Sequence, residues 1–390
     1  MDKISFRHKL STKFIIRINI LILILLIIFS ITIYITESKK SMNEYKATAQ
    51  TLVNGIAGSA YNFLSETMHY TTMLAEYDDI KRLLVEGDNE TIKKRVKDIL
   101  EKAMNYLPEI HNIALVDLDK NSPNYGNIIE TADYEELIGV SVLDEDWVRH
   151  IDQHPYYISD VFIEKVTKKP VITFNIPIYY SKRLIGAIEL LLYQEYFYKR
   201  FTKQFSLGKD TYFFIGDSRG EIISHPLGRE AVLNKDFEKK VVTIINNILA
   251  GKNYFTYTFK GVKKHYFQSK PVDLEHMASK WYVSYGVPEE TIYASVYSFI
   301  KNLFIFTIIL FFILSFGISL LFHLFVNKPL ATINNSLRDI SSGQGDLTKK
   351  LPVKGKDEFS LLANYYNRFI DTISHIIREV KDLSNTISSM

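Results

Sequence analysis

Two uninterrupted apolar runs punctuate the chain. The first, ILILILLIIFSITIYI at 20–35, carries no charge. The stretch from 14 extends it to about 20 residues, the length that crosses a bilayer. A cleaved leader would have a shorter apolar region and a small-residue cleavage site. This run instead leads into Thr36-Glu37-Ser38-Lys39-Lys40, which predicts a retained anchor. The second run, 303–326, is about 24 residues long, enough to span with some tilt. Its one titratable side chain, His323, sits near one end and reads as interfacial rather than proton-linked. Two spans put both termini on one side, and Lys3, Arg7, Lys9, Lys13 and Arg17 place that side in the cytoplasm. The predicted order is a cytoplasmic tail (1–17), a first membrane helix (18–36, with its apolar lead-in from 14), an extracytoplasmic region (37–298) and a second membrane helix (299–326).

Within the extracytoplasmic region, 37–76 lacks proline and repeats apolar side chains three and four apart at Met42, Tyr45, Ala49, Leu52 and Ile56. That spacing predicts a long helix. Strand-like runs follow at 112–119, 156–164, 170–180 and 184–193, then at 211–215, 221–224, 254–259, 263–270 and 281–287. Two antiparallel lobes of similar size, distal at about 77–205 and proximal at about 206–287, fit this better than alternating βαβ units, so the predicted class is α+β. In 170–180, Ile172, Phe174 and Ile176 alternate with Thr173 and Asn175 and face one side. Thr173 and Asn175 are then either pocket contacts or ordinary outward positions.

Past the second span, Lys328-Pro329-Leu330 is followed by Ile333, Leu337 and Ile340 at helical spacing, and then by a polar connector at 341–348 with Gly343 and Gly345. Asp357-Glu358-Phe359 opens another helix. Its Phe359, Leu362, Tyr366, Phe369, Ile373, Ile376, Val380, Leu383, Ile387 and Met390 step by three and four. Such a stripe predicts a coiled coil, and hence a dimer.

Composition narrows the chemistry. A net charge of +3, with no basic run interleaved with aromatics, argues against nucleic acid. The absence of cysteine excludes disulfides and thiolate sites. His225-Pro226 has no second histidine at metal spacing, so neither metal nor cofactor is expected. Gly216-Asp217-Ser218-Arg219-Gly220 matches a hydrolase nucleophile pattern, but a strand follows where that chemistry needs a helix. A tight hairpin turn is expected there, and no catalytic residue is predicted.

These residues carry a family resemblance. The stretch from Tyr157-Ile158-Ser159-Asp160-Val161 through Pro170-Val171-Ile172-Thr173 to Leu184-Ile185-Gly186-Ala187 resembles the membrane-distal lobe of double Cache sensor domains. The run from Asp210-Thr211-Tyr212-Phe213 to Ser224-His225-Pro226 resembles the proximal lobe. The module at 327–379 resembles a HAMP domain, with Pro329, Asp357 and Glu358 in its signalling positions, and 380–390 opens a coiled-coil helix. The whole is similar to the sensory half of methyl-accepting chemotaxis receptors. This implies two PAS-like Cache lobes on a long N-terminal helix and a small-molecule ligand in the distal lobe, with Trp147, Tyr156, Tyr157, Asp160, Thr173 and Asn175 as candidate contacts. The aromatics are either cage walls or core. Relatives that bind amino acids carry arginine, tyrosine and aspartate where Glu145, Val148 and Leu191 stand here, which disfavours an amino-acid ligand. Glu145 and Asp146 beside Trp147 are either solvated loop acids or contacts for a cation.

The resemblance also implies a homodimer through HAMP and coiled coil. A coupling protein and histidine kinase are expected downstream only where a signalling hairpin is present or supplied, because the chain stops at Met390 before that hairpin. It is therefore read as a fragment or as a partner of another output chain. A truncated sensor kinase or cyclase is the alternative. Ser374-His375-Ile376-Ile377-Arg378 only partly resembles a kinase phosphoacceptor, and His375 lies off the apolar stripe. An adhesin-like structural ectodomain is a third class.

Overall fold

The computed structural model describes residues 10–87, 89–107, 109–202, 210–227, 231–232, 235–240, 242–259, 261–342, 346–353 and 355–388. Lys3, Arg7, Lys9, the boundary near 206, Gly343, Gly345 and Met390 lie outside them. The chain divides into two compact units, 38–295 and a second made of 1–37 with 296–390.

The first helix, α1 (Leu10–Ala75), contributes to both units. It is followed by α2 (Asp78–Glu86) and α3 (Glu90–Tyr106). Asn89 caps α3, its side chain accepting from the amides of Thr91 and Ile92. The distal lobe is built from β1 (Ile110–Asp117), β2 (Ile128–Thr131), α4 (Asp146–His150), β3 (Tyr157–Ile158), β4 (Phe162–Ile163), β5 (Pro170–Tyr180), β6 (Arg183–Tyr193) and α5 (Gln194–Phe197). The proximal lobe holds β7 (Tyr212–Asp217), β8 (Ile222–Ser224), α6 (Lys235–Lys240), α7 (Val242–Leu249), β9 (Tyr254–Phe259), β10 (Val262–Gln268) and β11 (Trp281–Pro288). After them come α8 (Glu289–Phe322), a π-helical turn (His323–Asn327), α9 (Lys328–Ser341) and α10 (Glu358–Ser388).

Both sheets are antiparallel and ordered alike. The distal order is β2-β1-β6-β5-β3 with β4 also on β5, and the proximal order is β8-β7-β11-β10-β9. One face of each sheet enters a shared core against the helices, through Ile172, Phe174 and Ile176 in one lobe and Phe213, Val283 and Tyr285 in the other. α1 runs along this core. Its Tyr45 hydroxyl meets that of Tyr285 at 3.0 Å, Gln50 Nε2 donates to the Gln268 carbonyl at 2.7 Å, and farther along Phe63 packs edge-on against Phe197. Gly186 lets Leu84 approach the sheet, because a Cβ there would meet Leu84 Cδ1 and the Val116 carbonyl at 2.6 Å.

The strand expected over 156–164 is two short strands instead. Ser159 and Asp160 break it, because their side chains take other partners: Thr173 N donates to Ser159 Oγ at 2.9 Å, and Asp160 turns to Ser279 and Arg219. β2, which the sequence pattern did not suggest, edges the sheet beside β1. The 217–220 segment is the expected turn. Asp217 Oδ1 accepts from the amides of Arg219 and Glu221 at 2.9 and 2.8 Å, and Gly220 supplies a φ of 90°. β8 follows it, so no nucleophile elbow forms.

In the other unit, α1 and α8 are each long and apolar enough to cross a membrane, with mean hydropathies of 2.9 and 2.7 over their most apolar windows. They run antiparallel there: Phe14 packs on Phe322 with ring centroids 5.3 Å apart, and Ser30 meets Thr307 at 3.3 Å. Ile333 of α9, Leu351 of the connector, and Ala363, Tyr366 and Ile370 of α10 form a small core. Asn367 staples the connector to α10, accepting from Leu351 N at 2.8 Å and donating to its carbonyl at 2.9 Å. The single stripe expected along α10 divides in two. Tyr366 is buried within its own chain, whereas Leu362, Phe369, Ile376, Val380, Leu383 and Ile387 remain exposed.

Candidate functional site

The outer face of the distal sheet is where the polar residues gather. Strand register sets Asn112, Leu191 and Thr173 in one row and Ala114, Glu189 and Asn175 in the next. Thr173, Asn175, Asn112 and Glu189 are all buried. Thr173 and Asn175 thus resolve as inward positions. Asn175 Nδ2 donates to Thr173 Oγ1 at 2.8 Å and to the Tyr157 carbonyl at 3.2 Å, while its Oδ1 has no partner among the described residues. Asn112 Oδ1 accepts from Thr131 Oγ1 at 2.9 Å, and its Nδ2 likewise lacks a partner.

The segment around α4 covers this face. Trp147 is 1% exposed and packs with Ala114, Val116, Val142, Ile151 and Tyr157. Its indole N–H donates to Glu145 Oε2 at 2.9 Å, and the Tyr157 hydroxyl donates to Asp146 Oδ2 at 2.9 Å. Glu145 is therefore no solvated loop acid, its side chain being only 14% exposed. The anchoring indole holds it under the cap, and only Asp144 and Asp146 keep open carboxylates.

Glu145 and Glu189 both border one small cavity under the cap, and each carboxyl acts on the other. Burial raises both pKa values. For Glu189 the neighbouring Glu145 pushes the same way, whereas for Glu145 the Trp147 bond and Lys165 pull back. Each carboxyl thus favours its protonated form more than an exposed one would. Nearby Glu164 behaves differently. Burial would raise it, but hydrogen bonds from Thr167 and the amide of Val166 prevail and hold it below the usual range. Lys165 Nζ bonds Asp144 Oδ1 at 2.5 Å and the Ser141 carbonyl at 2.8 Å, and lies 3.7 Å from Glu145.

Two cavities adjoin at Glu145, Phe162 and Lys165. The inner one, about 20 Å³, is bounded by Glu189, Glu164, Leu191 and Ala114. The outer one, about 400 Å³, is bounded by Asp144, Asp146, Trp147, Asp160, Arg219 and Glu221. Arg219 and Glu221 belong to the proximal hairpin, so the outer cavity lies between the lobes. Arg219 Nη1 reaches Asp160 Oδ2 at 2.5 Å and Nη2 reaches Asp217 Oδ2 at 2.8 Å, while Ser279 Oγ donates to Asp160 Oδ1 at 2.5 Å. Burial nevertheless leaves the Asp160 carboxyl raised, with Ser279 and Arg219 opposing the shift.

Of the expected contacts, Trp147, Tyr157, Asp160, Thr173 and Asn175 gather around this face and its cavities. Tyr156 does not. Neighbours along a strand point to opposite sides, so Tyr156 packs toward the shared core with its ring edge-on to His276 at 5.3 Å. Glu189 was missed. Its signal was a single acid in the middle of the apolar run Leu184-Ile185-Gly186-Ala187-Ile188-Glu189-Leu190-Leu191. In a strand covered on both faces, such a residue is buried by necessity.

Among the membrane-exit residues, Pro329 sits in the first turn of α9 and lines a groove of about 260 Å³ with Ile333, Leu351 and Phe359. Asp357 Oδ1 caps α10, accepting from Ser360 N at 2.8 Å, and Glu358 occupies the first turn. His375 is exposed and pairs with Glu379 at 3.2 Å. No metal-holding cluster occurs among the described residues.

Comparison with known proteins adds the following. A Cache domain model matches residues 39–296 and a HAMP domain model matches 321–375. The methyl-accepting chemotaxis protein McpA of Pseudomonas putida is 27% identical over 181 residues, 45% of this chain and 26% of that protein. TlpQ of Pseudomonas aeruginosa, another methyl-accepting chemotaxis protein, is 50% identical over 56 residues, 14% of this chain and 8% of its own length. The matches thus span about a quarter or less of these curated relatives. Among solved structures, a domain of a sensory box/GGDEF family protein from Vibrio parahaemolyticus superposes with a TM-score of 0.51 at 11% identity, covering 65% of this chain and 99% of that one. The extracellular domain of a protein named as histidine kinase vpHK1S-Z8 gives 0.52 at 9%, covering 68% and 99%. At such identities the likeness concerns the fold alone.

Proposed function

The chain belongs to the Cache domain family, and on that premise we propose that it is the sensory part of a transmembrane chemoreceptor, with no catalysis of its own. The distal lobe takes a small extracytoplasmic ligand between its sheet and the Trp147 cap. Lys13 and Arg17, flanking the first span, favour a cytoplasmic N-terminus and hence an external 37–298. The observation that carries the reading is connectivity. β11 ends at Pro288, and α8 starts at Glu289 and runs through the second apolar stretch to the π-helical turn; the HAMP match begins at 321, at the end of α8, and continues through α9. A displacement of the proximal sheet therefore has one helix along which to travel. The matched curated relatives are chemotaxis proteins, which supports a chemotactic output over a kinase or cyclase.

A dimer is the working form. The exposed stripe of Leu362, Phe369, Ile376, Val380, Leu383 and Ile387 suits a partner's α10, since an apolar stripe of that spacing gains its burial between chains. Ligand binding favours one of two packings of that bundle, and a few kcal/mol of differential affinity is enough to shift it.

The test uses the absence of native cysteine. A cysteine placed at Phe369 in the nanodisc-embedded chain is expected to cross-link between protomers. The rate should change when a ligand found by thermal-shift screening is added, and this response should disappear with Trp147→Ala. Cross-linking indifferent to every stabilising ligand would sink the receptor reading.

A further inference from the structure

The acidic face beneath the cap offers more hydrogen-bond acceptors than Lys165, 3.7 Å from Glu145, can meet. Glu189 borders the inner cavity with Glu145 and Glu164, and Asn175, paired with Glu189 across β5 and β6, has an Oδ1 without a partner among the described residues. The nearby cations are engaged: Lys165 with Asp144 and the Ser141 carbonyl, Arg219 with Asp160 and Asp217. The inner cavity of about 20 Å³ is close to what a single water occupies. An ammonium head is of similar size, carries positive charge and has three N–H donors for a converging set of acceptors. The outer cavity has Trp147, Val161, Phe162 and Ile163 along its wall, apolar surface suited to an alkyl chain.

We propose that this site binds a primary alkylammonium cation, its head seated between Glu145 and Glu189 in the inner cavity and its chain lying in the outer one. The inference deepens the receptor reading and rests on it. Burial raises both carboxyls, so a proton that the pair holds below its raised pKa leaves to solvent as RNH₃⁺ enters, and both carboxylates then pair with the cation. A ligand carboxylate, by contrast, would find the cations occupied and the surrounding charge negative. The groups facing the pair are Glu164 and Lys165 from the loop between β4 and β5, Asp144 from the cap, and His111 through Glu164. Burial holds His111 neutral, its pKa lowered to about 4, so it supplies no competing positive charge near neutrality.

Isothermal titration of the full chain in lipid nanodiscs tests this, with n-butylammonium and 1,4-butanediammonium as cations and butanoate, n-butanol and alanine as controls. Saturable binding of at least one cation is expected, with none by butanoate or butanol. Kd should tighten about tenfold per pH unit while the pair is still protonated, and the heats in buffers of different ionisation enthalpy should report about one proton released. Glu189→Gln should weaken cation binding tenfold or more and abolish the pH dependence while the chain still melts cooperatively. Unaltered binding by Glu189→Gln, binding without proton release, or binding by neither cation would each overturn the proposal. Binding of alanine or butanoate in place of the cations would overturn it while leaving the receptor reading intact. Failure of the cross-linking response would instead remove that reading.

Discussion

The two lobes share a strand order, and they differ in what fills the outer face of each sheet. In the proximal lobe that face is packed with aromatics. Phe214, Phe255 and Tyr266 cluster with Ile244 and Ile248 of α7, and Tyr212 and Tyr266 join hydroxyls at 3.1 Å over Gly286, where an added Cβ would meet the Tyr266 ring at 2.9 Å. In the distal lobe the corresponding face holds Asn112, Thr173, Asn175 and Glu189 under a cap, with unpaired amide atoms and a small inner cavity that adjoins the larger one between the lobes. A face filled with aromatics contributes packing stability, even though Gln268 Oε1 and Ser284 Oγ in the same sheet also lack partners among the described residues. A face that keeps buried polar groups incompletely paired gives up stability, because each such group costs about 1 to 3 kcal/mol, and a ligand able to pair them recovers it. On the proposed reading, the same fold thus serves as a support in one lobe and a receptor in the other.

The comparison can be broken in several ways, the largest first. Tyr266→Ala should cost about 4 kcal/mol, since it empties a packed aromatic site. Denaturant unfolding should show the loss, with alkylammonium affinity unchanged within twofold. Lost affinity would mean that the proximal face also takes part in binding.

Arg219→Ala should cost about 2 kcal/mol. It leaves Asp217, which is 1% exposed, without its cation, although the half-open guanidinium tempers the loss. The same substitution should loosen the seam between the lobes, where Ser279 and Asp160 meet. Faster amide exchange at 158–160 and 276–279, with exchange in β10 unchanged, would confirm that location.

Acid should act oppositely on His225 of the proximal lobe and on the Glu145–Glu189 pair of the distal lobe. His225 is buried, and burial together with Lys264 lowers its pKa to about 4. The unfolded chain therefore binds its proton first, and stability is lost as pH falls from 7 to 5, by about 1.5 kcal/mol. Glu145 and Glu189 have raised values, so the folded chain binds their proton first, and they destabilise the empty site as pH rises above the ordinary carboxylate range. His225→Phe should flatten the first trend and Glu189→Gln the second, read as the pH dependence of unfolding for each variant. His111 adds to the acid-sensitive side and is common to both variants.

Glu189→Leu should have the smallest effect on folding. Replacing a buried charged group by an apolar one of similar size is often neutral or favourable, so a change within about 1 kcal/mol is expected. Amine binding should nonetheless be lost.

Much of this contrast was written in local patterns. β5 and β9 follow runs that alternate or carry aromatic and β-branched residues, and the turn at 217–220 follows from Asp and Gly chemistry. What escaped local reading depended on long-range contact. β2 is four residues long and is defined mainly by pairing with β1. The break at Ser159 and Asp160 exists because Thr173, Ser279 and Arg219 draw those side chains away. Glu145 looked like a loop acid because nothing in its neighbourhood along the chain shows that Glu189 and the Trp147 indole enclose it. The division of the α10 stripe likewise follows from the return of α9 and the connector, which bury Tyr366 and leave Ile376 exposed.

The most direct measurement uses the chain's two tryptophans, one in each lobe. Trp281 lies in the proximal sheet with its indole N–H unpartnered among the described residues, so Trp281→Phe strands no partner and leaves Trp147 as the sole indole. Titrating that variant with n-butylammonium should change Trp147 emission saturably, and adding Glu189→Gln should abolish the change. A silent Trp147, with a saturable response from Trp281 in a Trp147→Phe chain, would place the ligand in the proximal lobe and contradict the account.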